Sequence, residues 1–458
     1  MIVMKFGGSS VESAAAVRRI ASVVQSRLSR KPVVVVSAMG KTTNKLLAIA
    51  GIACNGERET ALVLVEELRA LHLREGSELI GKGRLRADME ATINSLFDEL
   101  EELLKGISVL GELTPRATDA VAAYGERLSS AICALAFEEL GIPSIHIDAR
   151  DIIVTDGRHT QATPLLPQTY ARVEATVPPL AAERVVVMGG FIGATEHGIT
   201  STLGRGGSDF TAAIVGAGIG AAEIQIWTDV DGMLTVDPTV MPGGHRVRSM
   251  SFAEAAELAY FGAKVLHPST VLPAVEKNIP VLILNSRRPD VEGTRIVREA
   301  VPCANIAKSI ACKKSITLVN IVSTRMLMAH GFLRRIFEIF DRFETSVDMV
   351  ATSEVSVSLT IDNTSRLRDI VRELRQFAEV TVEEDQAIVC IVGDNIRQTP
   401  GVAGHVFRAI EDINVRMISQ GASLLNLSIV VAQEDLKSAV QRLHAEFFTE
   451  LDREVFAA

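Results

Sequence analysis

Aromatic side chains are scarce in this chain, with one Trp and three Tyr among 458 residues, too few for the stacking platforms that hold single-stranded nucleic acid. Basic charge is also short: 47 Lys and Arg stand against 56 Asp and Glu, a formal net charge of -9. The clustered positive footprint of a nucleic-acid binder is therefore missing, and nucleic acid is not an expected partner. Five cysteines, Cys54, Cys133, Cys303, Cys312 and Cys390, are widely spaced without a CxxC or His/Cys ligand pattern, which reads as buried thiols and no metal-ligand set. Long apolar runs are lacking too. The longest nearly uncharged stretch, 210–222, stops at Glu223, short of a bilayer span. Residues 1–10 hold no apolar segment of signal-peptide length, so a cytoplasmic protein with no membrane partner is expected.

Hydrophobic residues make up 47 % of the chain, and its length suits about three domains of ~150 residues each. From residue 1 to about 290, strand-like runs alternate with helical periods, the pattern of an α/β fold with a mostly parallel sheet covered by helices. Candidate strands are 2–6, 33–37, 144–148, 185–188, 223–228 and 281–284. Helical periods at 60–74 and 87–104 read as a lid. Beyond 298 the chain repeats itself: Gly331, Ile336, Phe337, Val347, Met349 and Leu359 match Gly401, Val406, Phe407, Val415, Met417 and Leu427. Each block reads strand, helix, strand, strand, helix, a ferredoxin-like unit. The second block has little chain left for its last strand, which 306–311 or 454–457 would supply.

Several strand ends carry glycines or hydroxyls, and in open α/β sheets ligands sit beyond the carboxyl ends of the strands. Gly204-Arg205-Gly206-Gly207-Ser208-Asp209 opens a helix-prone run. Its glycines allow close backbone approach, the helix start attracts an anion, Arg205 grips carboxylate or phosphate, and Ser208 or Asp209 offers an N-cap. By itself this stretch is equally an ordinary capped glycine turn. Lys5-Phe6-Gly7-Gly8-Ser9-Ser10 places a cation beside a glycine nest. Ser37, Thr43 and Asn44 follow the second strand, Gly125-Glu126-Arg127 opens a helix, and Thr228-Asp229-Val230-Asp231-Gly232 follows another strand. Gly40-Lys41-Thr42 lacks the first glycine of a phosphate-binding P-loop, and Gly216–Gly220 sits inside a helical run, so neither motif supports a P-loop enzyme or a dehydrogenase.

The segments KFGGSS, SAMGKTTN, GERLSS, GRGGSD, WTDVDGMLTVDP and FGAKVLHPSTVLPA, in this order, resemble aspartate kinases of the amino-acid kinase fold. HGFLRRIFEIF, SVDMVATSEVSVSLTID and GASLLNLSIVV resemble the paired ACT domains of the lysine-sensitive enzymes. The resemblance covers nearly the whole chain. It implies a catalytic domain at 1–298, a first ACT domain with linker at 299–385, and a second at 386–458 that borrows a strand from 305–312. It further implies a monofunctional enzyme with no fused homoserine dehydrogenase. The implied reaction is ATP-dependent phosphorylation of L-aspartate to 4-phospho-L-aspartate with Mg2+, the first step toward lysine, threonine and methionine.

By the same resemblance, Lys5, Gly7, Gly8 and Asp209 would be catalytic, Lys5 stabilising the transferring phosphoryl group. Arg205 would hold the substrate's α-carboxylate, Glu126 and Asp209 its ammonium, while Ser37, Thr43, Gly207 and Ser208 complete the pocket. Thr228, Asp229, Lys264 and Val265 would contact the nucleotide together with the positions of Leu234 and Thr239, where relatives usually carry Tyr and Arg. A stacking surface and a phosphate-reaching cation are thus absent there, and Arg246 and Arg248 are the nearest substitutes in sequence. Met326, Gly331, Phe332, Asp348, Thr352 and Ser353 match lysine-binding positions, with L-lysine the implied effector and a homodimer through the ACT domains, or a tetramer, the implied assembly. Competing readings are a glutamate or acetylglutamate kinase and a catalytically idle ACT sensor.

Overall fold

A computed structural model describes residues 1–262, 266, 268–323 and 330–457. Lys264, Val265 and Met326 lie outside the described residues. The chain divides into two compact units, Met1–Met233 with Val265–Ala300, and Leu234–Lys264 with Val301–Ala458. Residues 234–264, which the sequence reading put with the catalytic region, thus group with the C-terminal part.

In the first unit seven strands run side by side in the order Thr294–Val297, Val281–Asn285, Ile224–Thr228, Ile2–Phe6, Pro32–Val36, Val185–Gly189 and Ser144–Ile147. All neighbours are parallel except the pair formed by Thr294–Val297, which is antiparallel. Pro32–Val36 and Val185–Gly189 are buried at every residue, because helices cover both faces of such a sheet and leave no side for polar alternation. The six expected strands are present with ends shifted by a residue or so. The seventh is a short edge whose sequence, Thr-Arg-Ile-Val, carries too few apolar positions to stand out.

Helices Arg58–Leu79 and Arg84–Leu110 correspond to the two long helical periods. They are not a lid. Val65, Leu68, Met89, Ile93, Phe97 and Leu100 join one core with Ile20, Val34 and Leu128, so these helices extend the main hydrophobic cluster.

The second unit holds a six-stranded sheet in the order Val350–Thr352, Ser356–Ile361, Ser309–Val322, Glu379–Val392, Asn426–Ala432 and Val415–Gln420, antiparallel throughout. Its two central strands are 14 residues long, and each serves both sequence repeats. Residues 316–322 pair with 379–386 in the first repeat, while 309–313 pair with 388–392 and close the second, with a register shift at the junction. The repeats are therefore interleaved, and the closing strand of the second precedes the first in sequence. Phe456–Ala457, the competing choice, pairs instead with Arg246–Val247. Gly331 and Gly401 occupy matching places, each in a left-handed conformation that begins a helix, Phe332–Arg342 and Val402–Ala409. Ile336, Ile339 and Phe340 face a core with Val319, Val357 and Leu374. No helix among the described residues is long and apolar enough to cross a membrane.

Candidate functional site

The carboxyl ends of the parallel strands meet at one rim, stitched by backbone hydrogen bonds. Gly7 N–H donates to Trp227 O (3.3 Å), Ser37 N–H to Phe6 O (3.0 Å), Gly40 N–H to Gly8 O (3.1 Å) and Gly190 N–H to Val36 O (2.8 Å). A Cβ on Gly8 would lie 2.8 Å from Gly40 O, so only glycine lets these loops close on each other.

Helix Gly207–Gly218 starts at the same rim. Its N-cap is Gly206, at φ 71°, with no side chain capping it, a correction to the expectation that Ser208 or Asp209 would be the cap. Both lie in the first turn, and both are used elsewhere. Ser208 Oγ accepts from Ser37 Oγ at 3.0 Å, and Asp209 Oδ1 pairs with Lys5 Nζ at 2.7 Å. The uncapped N–H groups and the positive end of the helix dipole remain for an anion.

Glu126 is the third residue of helix Tyr124–Glu139 and is buried. Its Oε1 accepts from Ala38 N at 3.1 Å, whereas its Oε2 is buried with no partner among the described residues. Burial pushes this carboxyl up to about 8, against a smaller opposing pull from the Ala38 hydrogen bond. The preceding helix, Pro115–Ala122, is anchored by Asp119, which the sequence reading missed: this carboxylate is 1 % exposed and takes hydrogen bonds from Thr160 N, Thr202 Oγ1 and His159 Nδ1. No local pattern marks it, since its donors come from a loop and a strand end far along the chain.

A cavity of about 310 Å³ is lined by Lys5, Ser37, Thr43, Glu126, Phe191, Gly204, Gly206, Gly207, Ser208 and Asp209. Most of the proposed substrate pocket is thereby gathered in one place. Phe191 is an addition, held at φ 66° after Val185–Gly189; the Gly189-Gly190 pair before it was the overlooked signal. Arg205 does not line the cavity but is exposed between two residues that do, with no acidic partner among the described residues. Thr228 and Asp229 lie outside it at the end of the Ile224–Thr228 strand, where Thr228 Oγ1 donates to Asp229 Oδ1 (3.2 Å). The loop they begin is tied to the next strand end by Asp231, which accepts from Asn285 Nδ2 (2.7 Å) and Arg288 Nη1 (2.6 Å).

In the second unit, Leu234 bridges to Arg246 and Thr239 is exposed, its N–H donating to Asp237 (2.7 Å). Phe332 packs edge-on against Phe377, Thr352 ends an edge strand, and Ser353 hydrogen-bonds Ser356. Asp348 is already paired with Lys313 (2.6 Å), a partner the sequence did not announce.

A sequence model of the amino acid kinase family matches residues 1–285, and one of the ACT domain matches residues 389–447. Aspartokinase 2, chloroplastic, from Arabidopsis thaliana is 39 % identical over 97 % of this chain and 84 % of its own length. Lysine-sensitive aspartokinase 3 of Escherichia coli is 36 % identical over 98 % of this chain and 99 % of its own. Two crystal structures of E. coli aspartokinase III are similar, each at 35 % identity over 98 % of this chain. The complex with aspartate and ADP (R-state) gives a TM-score of 0.82 over 100 % of that chain, and the complex with lysine and aspartate (T-state) gives 0.83 over 99 %. With a glycine-lined cradle at a parallel sheet's rim in the first unit and an interleaved ferredoxin-like pair in the second, this agreement shows that the chain belongs to the aspartokinases of the amino acid kinase family, phosphotransferases that carry ACT domains.

Proposed function

We propose that the enzyme transfers the γ-phosphoryl group of ATP to the side-chain carboxylate of L-aspartate, giving ADP and 4-phospho-L-aspartate, the step that opens the route to lysine, threonine and methionine. The observation that carries this reading is Glu126: a buried carboxyl with one bare oxygen, sharing a cavity with the Lys5–Asp209 pair. A ligand that brings an ammonium group to Glu126 supplies the missing charge. An acylated amine brings none, which disfavours an acetylglutamate-type substrate.

The attacking carboxylate has an ordinary pKa near ~3.9 and is ionised at neutral pH, so no general base is required. The difficulty is bringing one anion against another. Lys5, the N–H group of Gly8 and the open start of helix Gly207–Gly218 bias the site positively where charge gathers in transfer, while Gly7, whose N–H is taken by Trp227 O, shapes the turn beside them. Magnesium arrives with the nucleotide as part of the substrate, neutralising its phosphates. Arg205 takes the α-carboxylate from the lip, Glu126 and Asp209 take the ammonium, and Ser37, Thr43, Gly207 and Ser208 orient the amino acid. Thr228 and Asp229 hold the nucleotide, with Lys264, Val265 and the positions of Leu234 and Thr239 contributing.

Feedback acts through the ACT domains, with lysine as effector at Met326, Gly331, Phe332, Asp348, Thr352 and Ser353. Apolar side chains exposed in this region, among them Leu333, Phe337, Val350 and Ile418, fit assembly of a cytoplasmic homodimer through it. The catalytic test is incubation with ATP, Mg2+ and a panel of amino acids, trapping acyl phosphate with hydroxylamine. Aspartyl hydroxamate is expected. A glutamyl or acetylglutamyl product would make this another amino-acid kinase, and no product at all would leave an idle sensor.

A further inference from the structure

The charged cluster around Asp348 allows a deeper reading of the feedback, which rests on placing the effector's ammonium at that carboxylate. The Asp348 side chain is 5 % exposed, and Lys313 Nζ stands 2.6 Å from its Oδ1 and 2.8 Å from Asp362 Oδ2. Tyr260 walls the cluster, its ring 5.7 Å from Nζ and its hydroxyl donating to Asp348 O at 3.4 Å. Two carboxylates share one ammonium, which leaves one negative charge in excess. Asp348 Oδ2 is buried and has no partner among the described residues. Burial, outweighing the pull of Lys313, raises the Asp348 carboxyl above its ordinary value, as expected for a charge left partly unmatched.

We propose that Lys313 is a tethered competitor of the effector: in the free chain it occupies the carboxylate that a ligand ammonium must take, and so sets the effector concentration at which the enzyme responds. A ligand ammonium at Oδ2 shares one carboxylate with Lys313 Nζ, and like charges so close repel strongly beside a carboxylate this little exposed. Lys313 has somewhere to go. Asp362 is about half exposed and already in hand, so Lys313 can release Asp348 and remain paired. Apparent effector affinity is then reduced by the fraction of chains in which Asp348 has been released.

The test compares lysine inhibition of the full-length enzyme with that of Lys313→Met, Lys313→Arg, Asp362→Asn and Asp348→Asn, with calorimetric lysine binding measured beside the rates. Lys313→Met is expected to lower the half-inhibitory lysine concentration about tenfold, equivalent to ~1.4 kcal/mol. Lys313→Arg should stay near the parent. Asp362→Asn, which removes the retreat, should raise that concentration, and it probes the idea independently should Lys313→Met fail to fold. Loss of inhibition in Asp348→Asn with no tightening in Lys313→Met and no weakening in Asp362→Asn overturns the competitor alone. If Asp348→Asn is inhibited as the parent is, or the parent ignores lysine, the effector placement falls and the competitor with it.

Discussion

Lys5–Asp209 in the first unit and Lys308–Glu254 in the second are both lysine–carboxylate pairs at hydrogen-bond distance, 2.7 and 2.8 Å, but their surroundings differ. Lys308 and Glu254 are 1 % and 2 % exposed. Glu254 also accepts from Ser251 N and Oγ in a capping box at the start of helix Phe252–Tyr260, so the pair is closed by its neighbours. Lys5 and Asp209 line a cavity in which the neighbouring Glu126 keeps an oxygen without a partner among the described residues. A closed buried pair specifies how elements dock, because either charge alone would be stranded. An open set with charge to spare is poised for a ligand. Lys313–Asp348–Asp362 has the open character, with one oxygen bare among the described residues and one carboxylate too many.

This contrast is sharpest where each pair is broken. Lys308→Ala should cost about 3 to 5 kcal/mol of stability by stranding Glu254, read as a lowered urea midpoint, while the KM values of the surviving folded enzyme stay put. A changed KM with unchanged stability would erase the distinction. Lys5→Ala should do the reverse, lowering kcat by about 10²- to 10³-fold with a small effect on the urea midpoint. Arg205→Ala should chiefly raise the aspartate KM, and exchanged phenotypes for Lys5 and Arg205 would mean that their roles are swapped.

Glu126→Gln should raise the aspartate KM by about 30-fold or more, the scale of losing one partner of a buried charge pair. The pH dependence is specific. In the empty site the carboxyl is protonated up to about 8, so aspartate binding at neutral pH must release a proton, measurable in weakly buffered indicator solution, and wild-type affinity should climb toward pH 8 and then level. For the fold, a carboxyl whose pKa is raised by folding contributes stability that is full below the unfolded value and lost as pH passes about 8. The Tm of Glu126→Gln should therefore overtake wild type in alkaline solution. No proton release and a flat difference in Tm would show Glu126 to be ionised and already paired. The smallest effect is expected at Thr239→Arg, an exposed site, where restoring a cation should lower the ATP KM about threefold.

Much of the site was legible before the fold was seen, because glycine loops, strand periods and the order of motifs are local properties. Lys5, Ser37, Thr43, Glu126, Gly207, Ser208 and Asp209 were all named from sequence and all line one cavity. Phe191 and Asp119 were not, since a phenylalanine with positive φ and an acid held by distant loops look ordinary in the chain. The reading of 60–74 and 87–104 as a lid failed for a related reason: periodicity shows that a helix has an apolar face, but not what that face covers.

The order of residues by itself determined the alternation that makes a parallel sheet, the glycines that let loops approach an anion, and the duplicated blocks that follow in the chain. Only the tertiary structure decided that the last strand of the second repeat comes from 309–313, that Lys5 meets Asp209, and that Glu126 and Asp348 each keep an oxygen bare among the described residues. Backbone preference acts over a few residues, whereas burial and charge pairing depend on what distant segments bring to the same place; Ala38, which holds one Glu126 oxygen, is 88 residues away in the chain.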